Sequence, residues 1–176
     1  MEFFDVIKNR RSIRAYKKQD LSPEQLNQLI DAARLAPSAG NAQPWAFVVA
    51  KSEQTKQALA TTAFGQSWLQ EAAVVFVVCI DEKRAEDAYG VRGKTLYGIQ
   101  DTSAAVENVL LAACSMGLGG CWMGAFREEE VRRVINAPAY MRPVALVPIG
   151  YPAEAPPSRS RRPAREVVFE EAFSQS

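Results

Sequence analysis

The stretch from Ala72 to Ile80, AAVVFVVCI, runs for nine residues without a polar side chain. It is too short to cross a bilayer, which takes about 20 apolar residues. Its β-branched and aromatic content suits an extended strand. Side chains of a strand alternate between two faces, so a strand that is apolar throughout must be covered on both. The chain is therefore expected to build a sheet with this strand at a central position and a layer of structure above and below it.

The remaining elements supply those layers. Pro44 to Ala50 and Val144 to Tyr151 read as two further strands, and Pro148 within the second predicts a bulge or an edge-like gap. Ser22-Pro23-Glu24-Gln25 places Ser as N-cap, Pro at the first helical position and Gln three residues after the cap, which together start a helix. Leu26, Leu29, Ile30 and Ala33, continued by Leu35, follow at the helical period, and Pro37 marks the end. Phe3, Phe4, Val6 and Ile7 give a short amphipathic helix that closes at Arg10. Lys51 to Thr62 reads as a helix capped by Ser52, with Leu59 inward; Asp81 to Lys94 is polar, mixed in sign, and expected to be a connection with a loose helix. Asp101 to Met116 is the longest helix, with Val106, Val109, Leu110 and Ala113 inward and Gly117 as its stop. So small-sided and weakly charged a helix is expected to be buried nearly all round, by the core or by a partner subunit. A short strand over Gly120 to Ala125 and a helix over Arg127 to Ile135 follow, the latter with acids in its first turn and arginines later, as the helix dipole prefers.

Composition narrows the chemistry. A length of 176 residues suits one domain, and a formal net charge of +1 gives no general basicity of the kind nucleic acid recruits. The chain contains no histidine. Ser-His and Cys-His catalysis are thereby excluded, and the commonest general base and transition-metal ligand is missing. Cys79, Cys114 and Cys121 form no CxxC pair and read as small hydrophobes in a reducing compartment. No signal-peptide pattern opens the sequence, so a cytoplasmic protein without membrane or nucleic-acid partners is expected.

Four local features could carry a function. Arg10-Arg11-Ser12-Ile13-Arg14 packs three arginines and a hydroxyl into five residues, and the planar fork of Arg grips the oxygens of a phosphate or carboxylate. Ala36-Pro37-Ser38-Ala39-Gly40-Asn41-Ala42-Gln43-Pro44-Trp45 is a loop of small residues and amides that can bring N–H groups to a planar polar ligand. Gly117-Leu118-Gly119-Gly120-Cys121-Trp122-Met123-Gly124-Ala125 has glycines on both sides of a short strand, which allows the backbone to come close to something flat. It is not a dinucleotide fingerprint, because it follows a helix where that motif follows a strand. Finally Arg159-Ser160-Arg161-Arg162, in a Pro-rich tail from Pro152 onward, offers a second anion clamp. Together they point to a flat, phosphorylated cofactor.

RRSIRAY near the start, APSAGNAQPW before the first strand, GLGGCWMGAF after the long helix and SRSRRPAREVVFEE in the tail, in this order, resemble the FMN-dependent nitroreductase family over nearly the whole chain. The resemblance implies an α+β, three-layer α/β/α fold with a mostly antiparallel central sheet. It implies one FMN-binding domain over residues 1–151 and an extended tail, 152–176, that crosses to the partner of a homodimer. By the same resemblance Arg10, Arg11, Ser12 and Arg14 hold the FMN phosphate and the pyrimidine edge of the flavin, and Arg159 and Arg161 complete the phosphate site, with a pairing through Arg162 as the alternative. Pro37, Ser38, Ala39 and Asn41 line the isoalloxazine from the other subunit, Gln66 touches the flavin edge, and Met123 and Gly124 sit near N5 and O4.

The activity implied is a ping-pong transfer of hydride from NADH or NADPH through flavin N5 to a nitroaromatic, quinone or similar small acceptor, with no protein group as catalytic acid. Two other readings stand beside it: a flavin-binding or regulatory module without turnover, and a flavin-consuming or dehalogenating member of the same fold. The segment Asp81 to Ile99 stands where larger members carry extra helices around the substrate pocket, so the acceptor is left open.

Overall fold

In chain order the elements are α1 (Phe3–Asn9), α2 (Pro23–Arg34), β1 (Trp45–Ala50), α3 (Glu53–Thr62), β2 (Val74–Asp81), α4 (Glu82–Arg92), α5 (Gly98–Ser115), β3 (Gly119–Gly120), α6 (Glu128–Val134) and β4 (Met141–Gly150). They come from a computed structural model that describes residues 2–173, so Met1 and the end of the expected tail, 174–176, lie outside the described residues. The strands form one sheet in the order β1-β2-β4-β3, and every neighbouring pair is antiparallel.

The apolar run takes the interior position that its pattern demands. Val75, Val77 and Cys79 of β2 point into one core with Leu59, Leu69, Val131 and Leu146. Val74, Phe76 and Val78 point into the other with Leu29, Val106, Val109 and Ile149. One face of the sheet is thus covered by α3 and α6 and the other by α2 and α5, which makes the fold α+β in three layers. Among the described residues no helix is long and apolar enough to cross a membrane.

The local signals act as their chemistry dictates. Ser22 Oγ accepts from the Gln25 N–H at 3.2 Å and Gln25 Oε1 accepts from the Ser22 N–H at 3.0 Å, a complete capping box at the head of α2. At the tail of α5, Gly117 adopts φ +74°, the Leu118 N–H donates to the Ala113 carbonyl, and the Gly117 N–H donates to Cys114. This is the Schellman arrangement, and it needs the left-handed residue that glycine supplies.

Pro148 leaves its gap on the β3 side. β3 pairs Gly119 with Gly150 and Gly120 with Ile149, and the Cys121 N–H still donates to the Pro148 carbonyl at 3.3 Å. Pro148 has no N–H to return, so the regular ladder stops there. The same register resumes at Met123, which exchanges two hydrogen bonds with Leu146 (2.9 and 3.0 Å). The strand expected over Gly120 to Ala125 is therefore reduced to two residues and a bridge. The bulge itself lies elsewhere, between Val78 and Cys79, opposite the Pro143 end of β4.

Other expectations are corrected. The polar stretch from Asp81 does hold a helix, α4, which runs to Arg92 with a kink at Tyr89 and Gly90, but no connection separates it from the next: a π-helical turn, Gly93–Tyr97, carries it into α5, which starts three residues earlier than its apolar pattern. Leu35 is 81% exposed because it caps α2 and has left the apolar stripe. Phe3, Phe4 and Ile7 are exposed, and only Val6 of α1 is buried. Nor is α5 buried all round by its own chain, since Ser103, Ala104, Glu107 and Leu111 remain half-buried.

Candidate functional site

The Arg cluster follows α1 directly and is pinned by backbone pairing. The Ile13 N–H donates to the Gly120 carbonyl at 3.0 Å, the Lys17 N–H to Tyr151 at 2.8 Å, and the Ala153 N–H to Ala15 at 2.9 Å. Tyr16, 7% exposed, donates its hydroxyl to the Ile13 carbonyl at 2.7 Å, and burial pushes its ionisation well above the usual phenol range. Residues 12–17 therefore lie as an extra extended segment between β3 and the stretch after β4. Gly119 leaves room for this contact, since a Cβ there would stand 2.5 Å from Ile13 Cγ1; Gly120 instead clears the core on the other side, where a Cβ would stand 2.4 Å from Ile149 Cδ1 and 2.9 Å from Leu110 Cδ2. The close approach expected at these two glycines is thus to the protein's own side chains.

This pairing brings the two ends of the chain together. Arg10, Arg11, Ser12 and Arg14 line one cleft with Pro156, Pro157, Ser158, Arg159 and Arg161, and Ile7 and Lys8 complete its wall. The cleft measures about 560 Å³ and carries six cationic side chains and no carboxylate. In a chain of net charge +1 such a concentration of one sign is a local construction. Arg10 Nε lies 3.6 Å from Glu107 Oε1 of α5, Arg11 Nη1 donates to the Lys8 and Arg10 carbonyls, and the Arg14 guanidinium sits 6.0 Å from the centre of the Trp68 ring. Of the three, Arg11 is held by hydrogen bonds, while Arg10 and Arg14 keep their guanidinium donors available for an anion. The Cys121 thiol behind them is pushed up by burial, with Arg14, the Ser12 hydroxyl and Arg10 pulling it the other way.

The remaining expected residues fall into two further places. Gln66 precedes the 3-10 turn Ser67–Glu71, whose Trp68 lies under Arg14; it is not itself among the residues that line the cationic cleft. Met123 is buried at its bridge to Leu146; Gly124 beyond it is exposed, with nothing within 4 Å of where a Cβ would stand. That position offers the open backbone a flat ligand needs. Pro37, Ser38, Ala39 and Asn41 are not in the cationic cleft. They form a separate loop where Asp101 Oδ1 accepts from the Ala39 N–H at 3.0 Å and the Tyr89 hydroxyl stands 2.0 Å from where a Cβ of Gly40 would be. Within one chain the cationic cleft and this loop lie apart.

Several contributors escape a motif reading. Lys8 adjoins the Arg cluster and adds a sixth charge. Glu107, Trp68, Tyr89 and Asp101 meet their partners only through the fold; Asp101 and Glu107 stand out in the sequence as the two acids of the long helix, but nothing local says what they face.

The site fits a phosphorylated cofactor on this geometry: a cationic cleft with no carboxylate in its lining, Glu107 and Glu154 meeting Arg10 and the Arg14 N–H at its margin, and a glycine backbone open for a flat ring. Comparison with known proteins agrees with it. The sequence matches the Nitroreductase family over residues 7–68 and 60–151. A protein of Archaeoglobus fulgidus is 38% identical over 158 residues, covering 87% of each chain. The FMN reductase [NAD(P)H] of Bacillus subtilis is 29% identical over 185 residues, 98% of this chain and 74% of that protein. Among solved structures, the NADPH:FMN oxidoreductase of Vibrio harveyi complexed with NAD+ superposes with a TM-score of 0.90 at 28% identity, covering 98% of this chain and 78% of that one. With family profile, identity and fold in agreement, the chain belongs to the nitroreductase family.

Proposed function

We propose that the protein is an FMN-dependent NAD(P)H oxidoreductase that acts as a homodimer in the cytoplasm and reduces a nitroaromatic, quinone or similar small acceptor. The observation that carries this reading is the cleft built from both ends of the chain, with six cations and no acid. Arg10, Arg11, Ser12, Arg14, Arg159 and Arg161 hold the phosphate, whose two negative charges suit a fork-donor set. Gln66 flanks the flavin, and the open Gly124 backbone, held at its base by the Met123–Leu146 bridge, presents its N–H to the ring edge near N5. Pro37, Ser38, Ala39 and Asn41 reach across to the partner's flavin, which explains why they stand apart from the cleft of their own chain.

FMN, when bound, supplies the hydride-accepting and hydride-donating centre, so the protein needs no nucleophile or histidine of its own. The cations around the cleft stabilise negative charge wherever it builds on the bound cofactor. NADH or NADPH and the acceptor use the same open face in turn. The tail from residue 152 crosses to the partner, consistent with the exposure of residues 157–173 on one chain and the apolar Val167, Val168 and Phe169 among them.

The test is an anaerobic titration of FMN-loaded protein with NADH and with NADPH, following the flavin band at about 450 nm. Bleaching that recovers on adding a quinone or nitroaromatic is the expected result. A loaded protein that neither nucleotide bleaches is a flavin carrier without turnover, and one that takes up no FMN overturns the assignment.

A further inference from the structure

We infer that Asp101 is a positioning residue: its carboxylate, reaching from the first part of α5, holds the Pro37–Asn41 loop in the shape that the partner's flavin meets. The inference rests on the proposed FMN site. Asp101 is 6% exposed, its Oδ1 accepts from the Ala39 N–H at 3.0 Å, and its Oδ2 has no hydrogen-bond partner among the described residues. A buried carboxylate with an unsatisfied oxygen weakens a fold, and native structures avoid it unless the group does something else. Burial accordingly pushes the Asp101 carboxyl up, with the Ala39 N–H pulling the other way.

What the carboxylate holds is a loop that does not hold itself by ordinary backbone preference. Gly40 has φ +52°, Asn41 +56° and Gln43 +51°, so three of four consecutive residues are left-handed and two of those carry side chains. Such backbone persists only where its surroundings over-determine it, and it gathers at sites that bind. Inside the loop, Ser38 Oγ accepts from the Gln43 N–H at 3.0 Å. From outside, Arg84 donates to the Ala42 carbonyl, the Tyr89 phenol fills the space over Gly40, and Asp101 grips the residue between Ser38 and Gly40. Asp101 is the tether at the point where the extended chain at Ser38 turns into the 3-10 turn Ala39–Asn41.

The test compares Asp101→Asn, which keeps an acceptor of the same size, with Asp101→Ala, and adds Ala39→Pro, which deletes the donor at a turn position that tolerates proline. In the FMN-free protein, amide hydrogen exchange at Asn41 and Gln43 should quicken roughly tenfold or more in Asp101→Ala and stay near the wild-type rate in Asp101→Asn. FMN affinity should fall by a similar factor in Asp101→Ala and in Ala39→Pro, with Asp101→Asn between them and the wild type. Unchanged exchange and unchanged affinity in Asp101→Ala and Ala39→Pro overturn the inference, and so does an Asn variant as impaired as the Ala variant, because the charge and not the tether would then matter. A wild-type chain that binds no FMN sinks the flavin reading alone, since the exchange comparison needs no cofactor.

Discussion

Arg10 has Glu107 at 3.6 Å on α5 and lines the cationic cleft beside Arg11 and Arg14. Such an arrangement keeps a guanidinium oriented while leaving donors for an anion. Replacing Arg10 and Arg14 together by Ala should weaken FMN retention by about 100-fold or more, two charge-assisted contacts at about 1.5–3 kcal/mol each, with the far-UV circular dichroism unchanged. Retention at the wild-type level would refute the phosphate assignment. Asp101 makes a separate prediction through its raised ionisation. An acid whose folded-state pKa lies above its unfolded value binds more protons when folded, so its contribution to stability declines as pH climbs past the ordinary carboxylate range. Denaturant unfolding of Asp101→Asn should therefore gain on the wild type between about pH 3 and pH 7, a range that starts below an ordinary carboxylate at about 4 and runs above it. A constant difference across that range would show that Asp101 does not titrate as its burial requires.

Elements show most clearly what a sequence can and cannot convey. The capping box of α2 was legible because it is wholly local, and Ser22→Ala should cost about 1 kcal/mol by thermal or chemical unfolding. The two-sided strand was legible because its pattern states its environment. α4 is legible only as a loose helix, since it is polar and kinked at Tyr89–Gly90; its tight passage into α5, where a Cβ at Gly93 would strike the Ala85 carbonyl at 2.0 Å, has no apolar pattern to announce it. The strand after β3 was overcalled, because the proline that interrupts it sits 25 or more residues away on β4, at Pro148. Helix α6 is tied to β4 by Arg142, which meets both Glu128 oxygens at 2.9 and 3.0 Å and holds that carboxyl below its usual range. A depressed acid adds stability that is present above the ordinary carboxylate pKa and lost as pH falls through the lowered one. Both side chains are partly exposed, so Glu128→Gln should lower stability at pH 7 by under about 1 kcal/mol, and the gap to wild type should narrow in acid. A gap that stays constant down to pH 3, below a free carboxylate at about 4.3, would mean the pair contributes nothing.

At the scale of the molecule, four motifs could be read along the chain and an anion site suspected, but their division into a cationic cleft and a separate loop is a property of the fold. No spacing in the sequence says that Arg161 faces Arg10, or that Ser38 faces away from both. Truncation after Pro152 removes Arg159, Arg161 and the apolar Val167–Phe169 together. The shortened chain is expected to lose FMN and to sediment as a monomer; a flavin-loaded dimer would show that the tail serves neither purpose. The clasp of residues 12–17 against Gly120 and the stretch after β4 also has a consequence in time. Arg10 leaves the ribosome some 150 residues ahead of Arg161, roughly 7–30 s at 5–20 residues per second. Throughout that interval the early arginines have no cleft to belong to. Cofactor capture thus follows synthesis as a late event, and a nascent chain stalled before Arg159 carries the protein's most recognisable motif with nothing yet for it to grip.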